Sequence, residues 1–242
     1  DGISILKTVI RDKIGKNGKL GLMMGKETAI RMPLNDLNKI LYDLKKENII
    51  DVTEEIQKIR MIKSNSEIEK IRYVCSLTSK VFSKIPQWLK QGMTLIDVFR
   101  SFKIKLLESG IDDISYLVGA AGQGGYFDII KPANEIALKN GDILMMDTGC
   151  KWDGYYCDFD RNFALGHATD ESLLAHELLY KSINVSLNKI SPGTTKFSTI
   201  FHEMNNILKN ENNTDIGRYG HGLGIQLTEP PSNIFWDDTI LK

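Results

Sequence analysis

Residues 147–161 read DTGCKWDGYYCDFDR, and the pairing of the carboxylates in this stretch decides the fold. Asp147 closes the apolar run DILMM at 142–146, which predicts a buried strand. A lone carboxylate in such a place is costly, so the chain must supply a partner. Asp153-Gly154 is a strong hairpin-turn dipeptide. With a two-residue turn, Trp152 pairs with Tyr155, Cys150 with Cys157 and Asp147 with Asp160. Opposite residues share a face, as do residues two apart on one strand. Asp147, Asp158 and Asp160 therefore share one face, with Asp147 and Asp160 roughly 5 Å apart at Cβ and Asp158 diagonal at roughly 7 Å. Any even-length turn keeps this parity and an odd one destroys it. Arg161 falls on the other face. Two like charges at 4 Å cost about 4 kcal/mol at an effective dielectric of 20. Either one carboxylate takes a proton or a cation binds. Carboxylate oxygens suit a hard or borderline divalent metal.

The rest of the composition narrows the class. The chain has 242 residues, 42% hydrophobic and 26% charged, which fits a globular protein of one large or two modest domains. Lys plus Arg and Asp plus Glu are both 31, and this balance speaks against a nucleic-acid partner. No apolar run approaches the roughly 20 residues of a membrane span, so no membrane partner is expected. The three cysteines, Cys75, Cys150 and Cys157, form no CxxC pair. Free thiols in a reducing, cytoplasmic setting are expected. The chain opens on Asp1 and closes on WDDTILK, and we expect a fragment of something longer.

Along the chain, Lys19–Met24 reads as a strand, and Leu34, Leu37, Ile40, Leu41 and Leu44 as one helix face. A boundary follows at IRMIKSNSEIEKIR, where Ser64 and Glu67 have capping-box spacing. Ile68, Ile71, Cys75, Thr78, Phe82, Ile85 and Leu89 trace a long helix that Pro86 should end or kink. A second helix is expected over Thr94–Ser109, with Ile96, Phe99, Phe102 and Leu106 inward. ISYLVGAA and GDILMMDTG read as strands, and helices are expected near Asp170–Ile190 and Thr195–Lys209. The Lys/Asn-rich stretch 209–213 reads as a solvated loop.

The second informative stretch is GRYGHGLGIQLTEPPS. His221 is flanked by glycines at 217, 220, 222 and 224, which exclude a stable helix and allow close backbone approach to the imidazole. A phosphate-binding loop would need a Lys-Ser/Thr and a following helix, and neither is present. His176 and His202 fall within helical patterns and His167 follows a strand end.

MMDTGCKWDGYYCDFDRNFALG and GHGLGIQLTEPP resemble the two signature blocks of the creatinase, aminopeptidase P, prolidase and methionine aminopeptidase superfamily, and IRMIKSNSEIEKIR resembles the linker that opens its catalytic domain. The resemblance covers most of residues 58–242. It implies a pita-bread α+β catalytic domain over 59–242, truncated at its C-terminal end, with residues 1–58 as the last part of a smaller α/β domain. It also implies Asp147, Asp158 and His221 as metal ligands. Two further glutamate ligands would lie beyond Lys242. The implied cofactor is a pair of divalent ions; manganese suits the oxygen-rich set, with zinc, cobalt or iron as alternatives. The candidate site is completed by His221 and Glu229 in catalysis and by Thr228 and Tyr155 at the substrate. The resemblance also implies a homodimer.

There are departures. The peptidases of the superfamily carry a second His where this chain has Thr228, and another near GGYFDIIKP, where none is found. Asp160 stands where Thr is usual. Three readings follow: a metallopeptidase acting on short peptides, a metal-dependent hydrolase or lyase of a small amide-like molecule, and a catalytically dead binding module. Asp147, Asp158 and His221 speak against the third, and against a creatinase-type enzyme that has dropped its metal ligands.

Overall fold

The structure is a computed structural model that describes residues 2–15, 17–42, 48–208 and 217–242. It divides into two compact units, 1–62 and 63–242.

The first unit holds helix α1 (Gly2–Ile14), strand β1 (Leu20–Leu22), helix α2 (Leu34–Leu41), strand β2 (Ile49–Asp51) and helix α3 (Thr53–Met61). The expected strand and amphipathic helix are β1 and α2, while Leu44 lies outside the described residues. β1 pairs in parallel with β2. The Thr53 hydroxyl, at the start of α3, accepts from Met24 and Gly25 N–H, each at 2.8 Å, and donates to Asp51. That bond holds the Asp51 carboxyl below its usual range.

The second unit opens with helix α4 (Asn65–Ser83), whose N-terminus carries the capping box of Ser64 and Glu67. It buries Val74, Leu77, Thr78, Val81 and Phe82. This face is wider than the expected stripe and rotated from it, leaving Ile68 exposed, because α4 packs on the sheet and on a second helix at once. Pro86 falls in the first turn of the short helix α5 (Ile85–Trp88), where its missing N–H costs nothing. Helix α6 (Leu95–Glu108) is capped by Thr94 and Asp97 and buries Leu95, Val98, Phe99, Phe102 and Leu106, with Ile96 only half-buried.

Three antiparallel strands follow, in the order β3 (Asp113–Gln123), β4 (Asp142–Trp152), β5 (Tyr155–Ala164). The β4–β5 turn is Asp153-Gly154, with φ of 45° and 83°, the left-handed pair that a two-residue hairpin requires. Trp152 pairs with Tyr155, Cys150 with Cys157 and Asp147 with Asp160, as the turn dipeptide predicts. One face of the sheet meets α4 and α6 in a core that includes Phe82, Phe102, Leu144, Met146, Cys150 and Cys157. The cysteines are free thiols, and Cys157 Sγ lies 3.2 Å from the Thr78 hydroxyl. The other face carries the acids.

Helices α7 (Asp170–Asn188) and α8 (Phe197–Leu208) pack together, and β6 (His221–Gly222) pairs with β7 (Glu229–Ser232). The stretch 209–213 lies outside the described residues. Among the described residues no helix is long and apolar enough to cross a membrane.

Candidate metal centre

The acid face is set by the β4–β5 register. Asp147 pairs with Asp160, and Asp158 pairs with Gly149 two residues along. The third strand adds what the hairpin argument did not contain. Between Ile114 and Tyr116 the β3–β4 register shifts by one residue. Without that bulge Ser115 would oppose Gly149 and Tyr116 would point into the core; with it, Tyr116 opposes Gly149 and stands among the acids. Gly149 is needed here. A Cβ on it would lie 2.6 Å from the Tyr116 ring and 2.5 Å from the Leu227 side chain.

The Tyr116 hydroxyl lies 2.5 Å from Oδ1 of Asp147 and 2.6 Å from Oδ1 of Asp158. The phenol has one proton, and it is directed at both carboxylates. Burial pushes Asp147 above its usual range, and the Asp158 charge adds to the push, while the Tyr116 bond opposes it. In Asp158 burial also acts upward, yet the bonds from His221 and Tyr116 outweigh it and hold this carboxyl low. Burial and both carboxylates raise the Tyr116 phenol. Asp160 is pushed up to about 6, by burial and then by the Asp147 charge. Asp160 is exposed at its surface, although protein atoms ring the carboxyl.

His221 enters from β6. Its Nε2 lies 3.2 Å from Oδ2 of Asp158. Its Nδ1 lies 2.8 Å from the Gly222 carbonyl oxygen. A carbonyl only accepts, so Nδ1 carries a proton and Nε2 is the nitrogen aimed at the acids. The Asp158 bond raises the imidazole's pKa.

The donors fit a divalent cation in kind. Two carboxylates converge on one point, and an imidazole places Nε2 on one of them, Asp158, and anchors its other N–H on a carbonyl, as a ligating histidine does. The Tyr116 hydroxyl sits at the point of convergence. The side chains are not spaced as a cage: among the described residues no group of three His, Cys, Asp or Glu is arranged to hold a metal.

Glu229 is buried and is not aimed into the acid face as an open acid–base group. Its Oε1 accepts the Gln226 N–H at 2.9 Å and its Oε2 lies 3.4 Å from Lys63 Nζ. Thr228 is half-buried in the segment between β6 and β7, next to Leu227. Tyr155 is not brought to the site. It shares the face of Trp152 and Cys150, away from the acids, donates to Glu67 at 3.0 Å and lies under the Lys70 ammonium. Hairpin parity puts it on the other side of the sheet.

The metallopeptidase family M24 pattern matches residues 69–242. The chain belongs to metallopeptidase family M24. "Probable dipeptidase PepE" of Mycobacterium bovis is 23% identical over 192 residues, 78% of this chain and 51% of that protein. Methionine aminopeptidase 1 of Bacillus subtilis is 33% identical over 95 residues, 39% of this chain and 38% of that protein. The chain spans about half the length of the curated dipeptidase relatives it matches. Among solved structures, a recombinant prolidase from Thermococcus sibiricus superposes with a TM-score of 0.83 at 22% identity, covering 100% of this chain and 65% of the other. An X-Pro aminopeptidase from Thermotoga maritima gives 0.80 at 21%, covering 100% and 67%. The fold of this M24 chain is accordingly the pita-bread α+β fold. Within the M24 match lie Asp147, Asp158, His221 and the bulge that delivers Tyr116.

Proposed function

We propose that the protein is a metal-dependent hydrolase of short peptides, with Asp147, Asp158 and His221 as ligands. The observation that carries this is the convergence of Asp147 and Asp158 on one point, 2.5 and 2.6 Å from a shared hydroxyl, with His221 Nε2 on the second carboxylate. A proton is the weakest answer to that concentration of charge and a divalent cation is the stronger one. The oxygen-rich donor set supports manganese, and a pair of ions is the form we favour, as the M24 membership suggests. Bound there, the ions supply acidified water and a Lewis acid for an amide carbonyl. The chain's own residues do the rest. Asp147, Asp158 and His221 would hold the ions, the Gly222 carbonyl orients the His221 ring through Nδ1–H, and the Tyr116 hydroxyl lies between the two carboxylates.

Thr228 favours a second reading, on a small amide-like substrate. A hydroxyl does not titrate near neutral pH as an imidazole does, and a positioned acid–base group contributes about 10²–10⁴-fold. Within the proposal, residues 59–242 form the catalytic domain and 1–58 the end of a preceding α/β domain; the compact units, divided after Ile62, support a break in this region. A homodimer in a reducing compartment completes it, in line with the three free thiols.

The test is full-length protein with manganese against a panel of Xaa-Pro dipeptides, other dipeptides and small amides. Manganese-dependent release of an amino acid from the dipeptides supports the first reading. Turnover confined to the small amides selects the second, and no turnover with any of them overturns both.

A further inference from the structure

We propose that Lys63 and Glu229 form a buried positioning pair that sets where His221 stands relative to Asp147 and Asp158. The inference rests on the metal-centre reading above. Lys63 is the first residue of the second unit, and Glu229 opens β7. Their side chains are 14% and 3% exposed, with Nζ and Oε2 3.4 Å apart. Taking two charges out of water is costly, and such a pair seldom adds net stability over apolar residues. A pair retained at that cost is better explained by what it specifies.

What it specifies is the loop that carries His221. Glu229 is paired with Gly222, the neighbour of His221. Its carboxylate accepts the Gln226 N–H, and a Cβ on Gly224 would fall 2.8 Å from its Oε2. The carboxylate therefore fills the inside of the 222–229 loop. On the sheet side, the Gly224 carbonyl accepts the Tyr156 N–H at 2.9 Å, and Tyr156 is two residues from Asp158 on the acid face. The loop is thus held at two places, on β5 and on the Glu229–Lys63 pair. His221 depends on it directly, because its Nδ1 is bonded to the Gly222 carbonyl. A turn of that peptide turns the ring. Glu229 acts through His221, as a positioning residue and not as a proton-transfer group.

The experiment uses the full-length protein with Lys63→Met, Lys63→Arg and Glu229→Gln. Two readouts are taken: Mn²⁺ affinity by calorimetry, and the His221 imidazole resonances in metal-free protein, assigned with a His221→Asn variant. Lys63→Met is expected to weaken Mn²⁺ binding by about 10–100-fold, the usual loss for a group that orients a ligand, and to move the His221 resonances, with Lys63→Arg recovering most of both. Lys63→Met that binds Mn²⁺ like the parent with unmoved resonances overturns the proposal. If Lys63→Met does not fold, Glu229→Gln decides by the same readouts, since it keeps the shape and the acceptor for Gln226. Should the parent itself take up no Mn²⁺, the metal-centre reading fails. The metal-free resonances then decide on the pair alone: a shift supports it and no shift overturns it.

Discussion

Replacing Tyr116 by Phe removes one oxygen and keeps the ring that packs over Gly149. In the structure that oxygen lies 2.5 and 2.6 Å from two carboxylates. Hydrogen bonds to charged groups contribute about 1.5–3 kcal/mol each, and half-buried groups sit at or below the low end. Two lost contacts with partly rehydrated carboxylates therefore predict about 1.5–3 kcal/mol of destabilisation without metal. For a unit of this size that corresponds to roughly 2–4 °C of melting temperature per kcal/mol. With metal bound the hydroxyl is no longer the neutralising group, so the variant and the parent should converge. The gain in melting temperature on adding Mn²⁺ should be larger for Tyr116→Phe than for the parent, by about the amount the metal-free variant lost. The assay is a thermal or urea melt of full-length protein with chelator and with saturating Mn²⁺. If the metal-free variant melts with the parent, and Mn²⁺ raises both equally, the hydroxyl does not hold the place of a cation and the reasoning is refuted.

Asp158→Asn should abolish Mn²⁺ uptake, because Asp158 is the carboxylate shared by Tyr116 and His221; calorimetry reads the stoichiometry directly. Gly149→Ala should cost about 1–3 kcal/mol through overpacking and weaken Mn²⁺ binding as well, since its Cβ would lie 2.6 Å from Tyr116; a denaturant melt and a metal titration check both. Asp160 is a carboxyl raised in the folded state to about 6. The folded, metal-free protein therefore holds this proton where the unfolded chain has lost it, so stability from this group is present at low pH and falls as pH rises towards and through 6. Urea midpoints of metal-free protein over that range should show a downward contribution that Asp160→Asn removes. Thr228→His should raise Xaa-Pro cleavage if an imidazole at that position is what the chain lacks; steady-state rates of the manganese-loaded variant and parent against one dipeptide measure it.

The acid face was legible because Asp153-Gly154 dictates both the turn and the parity of every pair beyond it. Once Trp152 faces Tyr155, the sharing of a face by Asp147, Asp158 and Asp160 follows from a period of two. The same arithmetic places Tyr155 on the opposite face. Tyr116 was not legible. Its side depends on a bulge at Ser115, and the local sequence ISYLVGAA carries no Gly or Pro at that point to mark one. Lys63 and Glu229 were hidden for a different reason: they are 166 residues apart, and no local pattern predicts that a lysine before a helix will be buried on a distant loop. The helical stripe of α4 was found but rotated, because the periodic pattern shows that a helix has an apolar face and not that two neighbours will widen it.

The central claim is that Asp147, Asp158 and His221 surround a divalent cation. Anomalous diffraction from crystals of the full-length protein grown with Mn²⁺ tests it most directly. The account predicts anomalous density bounded by both carboxylates and His221 Nε2, with the Tyr116 hydroxyl moved off the carboxylate pair. Crystals with Mn²⁺ elsewhere, or absent, and with that hydroxyl still between Asp147 and Asp158, would contradict it.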